Sequence, residues 1–216
     1  MKVIHLLEAV PAKLLAVIYP GRFQPFHKGH HAAFKQLGKW FGQDNTWIST
    51  SDKTTAKDET EDVSFLDFTE RKELMVTLYG INPDHIVKCK NPAFSPIEIL
   101  SLYKAPTVCV MAVGSKDIER YKTSKMFEPY PMHKGMPAPF ENVAKDLATA
   151  NEKTTMYYVS IPAASGGLSG TKCREMLSKV DPKSTDETSR VMKACFGTNN
   201  TDIARMVLSN LKGHKV

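Results

Sequence analysis

Residues 14–30 read LLAVIYPGRFQPFHKGH, and this stretch decides the fold. The unbroken apolar run over residues 14–19 is typical of a strand that is buried on both faces of a parallel sheet. The Pro-Gly pair at 20–21 ends the strand. From residue 30 to about residue 41 the apolar side chains recur at helical spacing. The stretch therefore predicts a strand, a tight loop and a helix in direct succession.

The rest of the chain continues this alternation. Strands are predicted where β-branched and apolar residues cluster, over 46–50, 85–88, 107–113 and 156–161. Helices are predicted from 3.6-residue periodicity and end signals, over 69–79, 95–103, 141–150 and onward from 171. This order favours parallel strands with right-handed crossovers and helices on both faces. We expect an α/β fold, a Rossmann-like doubly wound parallel sheet of about five strands.

Three segments lie outside this pattern. Residues 52–70 carry seven acidic residues against two lysines and are predicted to form a long surface loop. Residues 129–139 hold four prolines and a glycine and are predicted to be an irregular loop. The chain beyond residue 182 indicates helix. We therefore expect one α/β domain over residues 1–180, with a helical C-terminal extension over residues 181–216 packed on it.

Composition indicates a globular protein with an anionic partner. The 216 residues carry 29 basic and 23 acidic side chains, a net charge of +6, and 42% are hydrophobic. No apolar run approaches the ~20 residues that span a bilayer, so no membrane association is expected. The four cysteines are widely spaced and form no C-x-x-C motif, which argues against a zinc ribbon and favours a cytoplasmic location.

The loop over residues 21–30, GRFQPFHKGH, has the features of an anion site. It leads from the first strand into the first turn of a helix, where free N–H groups and the helix dipole attract negative charge. His27 and His30 lie three residues apart at this junction. Arg22 and Lys28 add positive charge, and Gly29 allows a phosphate to approach the backbone.

Two other interpretations of the histidines are open. A single histidine at a helix start is usually a polar surface or capping residue, but two with a glycine and two cations are harder to explain in that way. A metal site would use His27, His30 and His31. No Asp, Glu or Cys lies nearby to complete the coordination of zinc, so we expect no metal held by protein side chains alone.

The second candidate segment is SGGLSGTKCREML at residues 165–177, after the last predicted strand. A glycine-rich loop leads to Thr171, a predicted N-cap, and to a helix whose first turn holds Lys172 and Arg174. The glycine spacing differs from a Walker A loop. The alternative is a plain glycine-rich turn capped by Thr171, with solvated Lys172 and Arg174.

Together the two segments resemble the nucleotidyltransferase superfamily. GRFQPFHKGH (21–30) is similar to its H-x-G-H signature, and LSGTKCRE (168–175) is similar to its second signature. The closest resemblance is to archaeal-type nicotinamide mononucleotide (NMN) adenylyltransferases. A looser match is FTERKELM (68–75), which resembles a family helix that carries an arginine, here Arg71.

The resemblance implies direct transfer of AMP from ATP, with Mg²⁺, to NMN, which forms NAD and pyrophosphate without a covalent enzyme intermediate. The implied catalytic residues are His27, His30 and Arg174. The implied nucleotide-binding residues are Gly21, Arg22, Phe23, Lys28, Gly29, Ser169, Gly170 and Thr171. The implied acceptor-binding residues are Arg71, Gly114, Lys116 and Asp117.

Several alternatives stay open at this point. The same chemistry serves other phosphorylated acceptors, as in cytidylyltransferases and pantetheine-phosphate or FMN adenylyltransferases. A nucleic-acid-binding protein would cluster its cations and aromatic residues, whereas the lysines here are scattered, so we expect no nucleic-acid partner. A catalytically silent descendant would not need both signatures intact. A homo-oligomer is compatible with the sequence.

Overall fold

The computed structural model describes residues 14–52, 65–105, 107–147, 154–162 and 167–213. Six strands form the central sheet: β1 (Leu14–Pro20), β2 (Thr46–Thr50), β3 (Ile86–Lys88), β4 (Thr107–Gly114), β5 (Glu128–Pro129) and β8 (Thr155–Ile161). Two short strands, β6 (Met132–His133) and β7 (Met136–Pro137), pair separately. The helices are α1 (Lys28–Phe41), α2 (Phe68–Tyr79), α3 (Ile97–Leu100), α4 (Ile118–Lys122), α5 (Phe140–Leu147), α6 (Gly170–Ser178), α7 (Thr185–Phe196) and α8 (Thr201–Gly213).

The strand order in the sheet is β3-β2-β1-β4-β8-β5, and each neighbouring pair is parallel. The order reverses between β1 and β4, so the loops after these two strands diverge and leave a crevice. This confirms the predicted Rossmann-like α/β fold, with six strands in place of about five. The additional strand, β5, is a two-residue edge strand in the proline-rich region, too short to give a periodic signal.

Both faces of the sheet are covered by helices. Successive side chains of a strand point to opposite faces, so the apolar residues of one strand belong to two separate cores. In β4, Val108 and Val110 join the core that is shared with α1, α2 and α6–α8. Cys109 and Met111 join the smaller core shared with α3 and α4. All four side chains are fully buried. A strand of this kind has no polar face, as its apolar run predicts.

The boundaries of the first two long helices match the sequence signals closely. Helix α1 ends at Gly42, and α2 ends at Gly80, which adopts the left-handed conformation that glycine tolerates. Helix α2 begins at an N-cap, Asp67, whose carboxylate accepts a hydrogen bond from the Glu70 N–H. The Glu70 carboxylate in turn accepts from the Asp67 N–H, which completes a capping box.

Three sequence predictions are corrected by the structure. The helix predicted over 95–103 is only the four residues of α3, because Pro96 is its N-cap and turns follow it. Residues 129–139 are not wholly irregular, since β6 and β7 form a hairpin about a turn at Lys134 and Gly135. The last part of the predicted surface loop 52–70 is not on the surface, because Phe65 and Leu66 are buried and α2 begins at Phe68. Residues 53–64 of that loop, 148–150 of the helix predicted over 141–150 and 163–166 of the glycine-rich loop lie outside the described residues.

The last two helices, α7 and α8, share the larger core with the rest of the domain. Met192 and Phe196 of α7 and Val207 of α8 are buried in it. The domain boundary at residue 180 stays a prediction. Among the described helices, none combines the length and the hydropathy needed to cross a membrane.

Candidate active site

The candidate site is a cleft of about 330 Å³ at the carboxyl ends of β1 and β4. Both signature segments line it, because the loops after β1 and β8 lie at the same carboxyl edge of the parallel sheet, with β4 between the two strands. The predicted site residues that line it are Gly21, Arg22, Phe23, His27, Gly29, His30, Gly114, Asp117, Ser169 and Gly170. Lys28, Thr171, Arg174, Arg71 and Lys116 lie outside this lining.

The first loop is folded back tightly on itself. Phe23 has a backbone φ of 51°, which is unusual for a residue that is not glycine. Its ring lies over Gly21, where an added Cβ would be 2.6 Å from the ring carbons, so only glycine fits. The same ring contacts His30 edge to face, with 5.1 Å between the ring centroids. Phe23 therefore forms an apolar wall behind His30 rather than a polar contact.

His27 and His30 cap the N-terminus of α1 reciprocally. The Gly29 N–H donates to Nδ1 of His27 at 3.1 Å, and the His27 N–H donates to Nδ1 of His30 at 3.3 Å. The two imidazole rings stack with 3.7 Å between their centroids. Since each Nδ1 accepts a hydrogen bond, a neutral ring carries its proton on Nε2. Each histidine thus presents one N–H donor on the side away from its own cap.

Burial keeps both rings neutral. Desolvation lowers the pKa of His27 to about 4. Desolvation, together with the charge that His27 would carry, lowers the pKa of His30 to about 3. Nε2 of His27 is buried, and the described part of the chain supplies no hydrogen-bond partner for it. A buried N–H without a partner is costly, so a ligand oxygen at this point would relieve that cost.

The second segment supplies another helix N-terminus. Ser169, not Thr171, is the N-cap of α6, because its Oγ accepts a hydrogen bond from the Lys172 N–H at 3.2 Å. The helix therefore begins at Gly170, earlier than predicted. An added Cβ on Gly170 would lie 3.0 Å from the carbonyl oxygen of Gln24. The two signature segments are thus in direct contact, and a larger residue at position 170 would have to displace the Gln24 backbone by a few tenths of an ångström.

Arg174 is half-buried and is not among the residues that line the cleft. Its Nη1 donates to the carbonyl oxygen of Gln24 at 2.6 Å, and its Nη2 donates to Oγ1 of Thr171 at 3.2 Å. Both signature segments are therefore tied together by the arginine that the sequence nominates. Its implied catalytic role stays a prediction.

Arg71, which is predicted to be an acceptor contact, lies outside the lining of both clefts, and its acceptor role stays a prediction. It is 2% exposed, and its Nε donates to the Asp67 carbonyl. Nη1 donates to the Arg22 carbonyl at 2.6 Å and to Oγ1 of Thr50 at 2.5 Å, and Nη2 donates to the Ser51 carbonyl at 2.7 Å. A guanidinium with this many backbone partners favours a positioning role, because it fixes the loops after β1 and β2.

A second cleft of about 300 Å³ adjoins the first. The two clefts share Gly114, the last residue of β4, and Asp117, which follows the strand, so two of the four predicted acceptor residues lie at the junction. Asp117 pairs with Arg120 at 3.7 Å. Lys116, in contrast, is exposed and lines neither cleft.

Aromatic side chains form the wall of the second cleft, and the sequence prediction missed them. Phe94 and Tyr121 stack with 5.3 Å between centroids and 13° between ring planes, and Tyr121 donates from its hydroxyl to the Ala93 carbonyl. The available signal was position, since Pro92 and Phe94 follow β3 at the carboxyl edge of the sheet, where ligands bind.

Within the described residues there is no group of three or more His, Cys, Asp or Glu side chains that could hold a metal ion. Asp117 is the acidic side chain in the wall of both clefts. Mg²⁺ in nucleotide sites is commonly bound by phosphates, waters and one or two carboxylates, and this donor set fits that arrangement.

A parallel α/β sheet with two helix N-termini facing one cleft at its carboxyl edge is typical of the class of nucleotide-binding proteins. Residues 18–127 match the family model described as cytidylyltransferase-like, which is more than half of the 216-residue chain. The chain belongs to this cytidylyltransferase-like family of nucleotidyltransferases.

Solved structures support the fold. Two are structures of Plasmodium falciparum nicotinic acid mononucleotide adenylyltransferase. The one complexed with NaAD has a TM-score of 0.53 at 11% identity, with 91% of this chain and 95% of that chain covered. The one complexed with APC has a TM-score of 0.51 at 12% identity, with the same shares covered. The search of curated proteins finds no match.

Proposed function

We propose that this protein transfers the adenylyl group of ATP to the phosphate of NMN, which yields NAD and pyrophosphate. The observation that carries the proposal is the convergence of two capped helix N-termini, those of α1 and α6, on one cleft with a second cleft beside it. Two anionic substrates need two adjoining compartments. The adenylyltransferases of similar fold support adenylyl transfer to a pyridine mononucleotide.

The proposed roles follow from what each side chain presents to the cleft. The triphosphate lies in the first cleft, where Nε2–H of His27 and of His30 donate to oxygens of the transferring phosphate. Backbone N–H groups at the start of α6 and the Ser169 hydroxyl hold the outer phosphates. The acceptor phosphate attacks the α-phosphorus in line, and these donors stabilise the added negative charge of the transition state.

Mg²⁺ bound to the triphosphate supplies further charge neutralisation. Asp117 is the side chain that we expect beside it, because this carboxylate lies at the junction of the two clefts. The four cysteines are buried and free, which supports a reducing, cytoplasmic environment.

The acceptor occupies the second cleft in this proposal. Its aromatic base packs against the wall formed by Phe94 and Tyr121, and its phosphate points towards the junction at Gly114. Arg22 and Arg120 bring positive charge to that junction. A planar, phosphorylated acceptor fits this combination of an aromatic wall and two cations.

The test is a panel of triphosphates and acceptors, scored by pyrophosphate release and by the nucleotide product. ATP with NMN and Mg²⁺ is expected to give NAD as the best product. The panel includes the acid analogue nicotinic acid mononucleotide, FMN and phosphopantetheine. The proposal would be contradicted if no NAD formed at high enzyme concentration. A known adenylyltransferase that converts the same ATP and NMN serves as the control for substrate quality.

A cytidylyltransferase is the second candidate, because the matching family model is described as cytidylyltransferase-like. The two functions share the chemistry and differ in the base and the acceptor. Pyrophosphate release from CTP, exceeding release from ATP with every acceptor, would favour this candidate over the first.

A further inference from the structure

Gln24 occupies the point where the two signature segments meet, and it is not among the residues that line the cleft. Its backbone carbonyl accepts the 2.6 Å hydrogen bond from Nη1 of Arg174. The same carbonyl oxygen would lie 3.0 Å from a Cβ on Gly170, so α6 packs directly against it. The position of the Gln24 peptide therefore sets the position of the α6 N-terminus relative to α1.

The Gln24 side chain is anchored in the interior. It is 9% exposed, and its Nε2 donates to the Leu66 carbonyl at 2.6 Å. The Leu66 N–H donates back to Oε1 of Gln24 at 3.1 Å. Leu66 is fully buried, so this pair of bonds satisfies a backbone N–H and a backbone C=O that water does not reach. A side-chain amide has both the donor and the acceptor for this task.

The loop between the two anchors is conformationally unusual. Arg71 holds the carbonyl of Arg22, and Arg174 holds the carbonyl of Gln24. Between these carbonyls lies Phe23 at a φ of 51°. A residue in the left-handed region persists only where the surrounding structure fixes it. The Gln24 amide is one of the contacts that fix it, and Phe23 in turn packs against His30.

We propose that Gln24 is a positioning residue of the triphosphate site: its side-chain amide, clamped on Leu66, fixes the peptide that aligns Arg174 and the α6 N-terminus with His27 and His30. This deepens the proposed function and rests on it. Gln24 does not touch the reacting atoms. It acts through Arg174 and through the loop that places the two imidazoles.

The test uses Gln24→Met, which keeps the length of the side chain and removes both hydrogen bonds. Affinity for inorganic tripolyphosphate and for ATP is measured by calorimetry, and turnover by product formation. We expect kcat to fall about 10- to 100-fold, since small misplacements of reacting groups have effects of that size. We expect tripolyphosphate to bind several-fold more weakly.

The matched control is Asn45→Leu. It also removes a hydrogen bond from a side-chain amide to a backbone carbonyl, here from Nδ2 of Asn45 to the Phe41 carbonyl at 2.7 Å. Asn45 directly precedes β2, so it lies at the amino ends of the strands, away from the cleft at their carboxyl ends. Both variants are compared by thermal melting and circular dichroism. If Gln24→Met does not fold, Gln24→Asn keeps the amide and withdraws it by one methylene, with the same expected loss of affinity.

A double-mutant cycle separates positioning from general destabilisation. In an Arg174→Gln background, Gln24→Met should have a much smaller effect on kcat than in the wild type, because both changes act on the same contact. The proposal is overturned if the effects of the two changes on kcat are fully additive. It is also overturned if the Gln24→Met variant binds tripolyphosphate as tightly as the Asn45→Leu variant does.

The wild type distinguishes this proposal from the proposed function. Wild-type protein that binds tripolyphosphate but forms no product contradicts the proposed function alone, and the affinity comparison still decides the role of Gln24. Wild-type protein that binds no triphosphate overturns both.

Discussion

The buried imidazoles of His27 and His30 are suited to donate hydrogen bonds to phosphate without carrying a permanent charge. Their pKa values are low because burial disfavours the imidazolium form. Under the proposed function, a triphosphate beside both rings would bring several negative charges close to them and would raise these pKa values. The histidines would then gain positive character only when the substrate is present, and that positive character would stabilise the transition state.

His30→Ala is expected to lower kcat by about 10²- to 10³-fold, as loss of a preorganised oxyanion donor does. The control is His31→Ala, since His31 lies on the same helix but packs against Tyr79, with 4.4 Å between the ring centroids, outside the cleft lining. Steady-state kinetics with ATP and NMN compare the two variants. A loss of less than tenfold for His30→Ala would remove His30 from the catalytic group.

The same histidines make the folded state sensitive to acid. The pKa of His27 is lowered from an ordinary 6.5 to about 4 by folding, so between these values the unfolded chain binds more protons. The contribution of His27 to the free energy of unfolding is therefore fully present above pH 6.5, and it is lost as the pH falls from 6.5 towards 4. The expected slope is at most about 1.4 kcal/mol per pH unit for each histidine.

Urea unfolding between pH 5 and 7 measures this slope, because carboxylates titrate mainly below that window. A variant with both His27→Gln and His30→Gln should show a flatter dependence than the wild type over that window. Saturating ATP should also flatten the wild-type curve. Equal slopes for wild type and variant would show that the rings are not kept neutral by burial.

At the scale of elements, the N-termini of α1 and α6 form the site, and each is capped by a side chain from its own signature. His27 caps α1, and Ser169 caps α6 through a hydrogen bond to the Lys172 N–H. The caps satisfy some of the free N–H groups, and the remaining ones are available to an anion. Gly170 then allows α6 to approach the first loop.

Ser169→Ala tests the contribution of the α6 cap, with Ser184→Ala as a matched control. Ser184 caps α7 with the same hydrogen-bond pattern, its Oγ accepting from the Glu187 N–H at 3.3 Å. Each variant should lose about 0.5–2 kcal/mol of stability, as removal of a serine N-cap does. Only Ser169→Ala should also weaken ATP binding, measured by calorimetry. Equal ATP affinity in both variants would exclude a role for the Ser169 cap in binding.

The sequence predicts the parts of this site that depend on local order and misses those that depend on long-range contact. Buried strands and glycine stops give periodic or conformational signals, so β1, β4 and α1 were predicted nearly to the residue. The clamp of Gln24 on Leu66 joins residues 42 positions apart and has no such signal. Thr171 was predicted as the N-cap because threonine and serine are both good caps, and only the backbone of Ser169 decides between them.

At the scale of the molecule, the C-terminal helices connect to the elements that carry the site. The amide of Asn210 in α8 donates to the carboxylate of Glu70, which belongs to the capping box of α2. The Tyr79 hydroxyl of α2 donates to the Phe196 carbonyl of α7 at 3.3 Å. Since α2 also carries Arg71, the extension supports the helix that fixes the first loop.

Leu211→Ala tests whether α8 unfolds together with the α/β domain. Leu211 is 3% exposed in the larger core, so the truncation should cost about 2–5 kcal/mol of the free energy of unfolding. The control is Leu102→Ala, which is 58% exposed and should change stability by less than about 0.5 kcal/mol. If α8 belongs to the same cooperative unit, calorimetry of Leu211→Ala shows one transition that moves to lower temperature as a whole. A separate transition at lower temperature for this variant, with the main transition unchanged, would instead show that the C-terminal extension unfolds as an independent unit. Its contacts with α2 would then contribute nothing to the stability of the site.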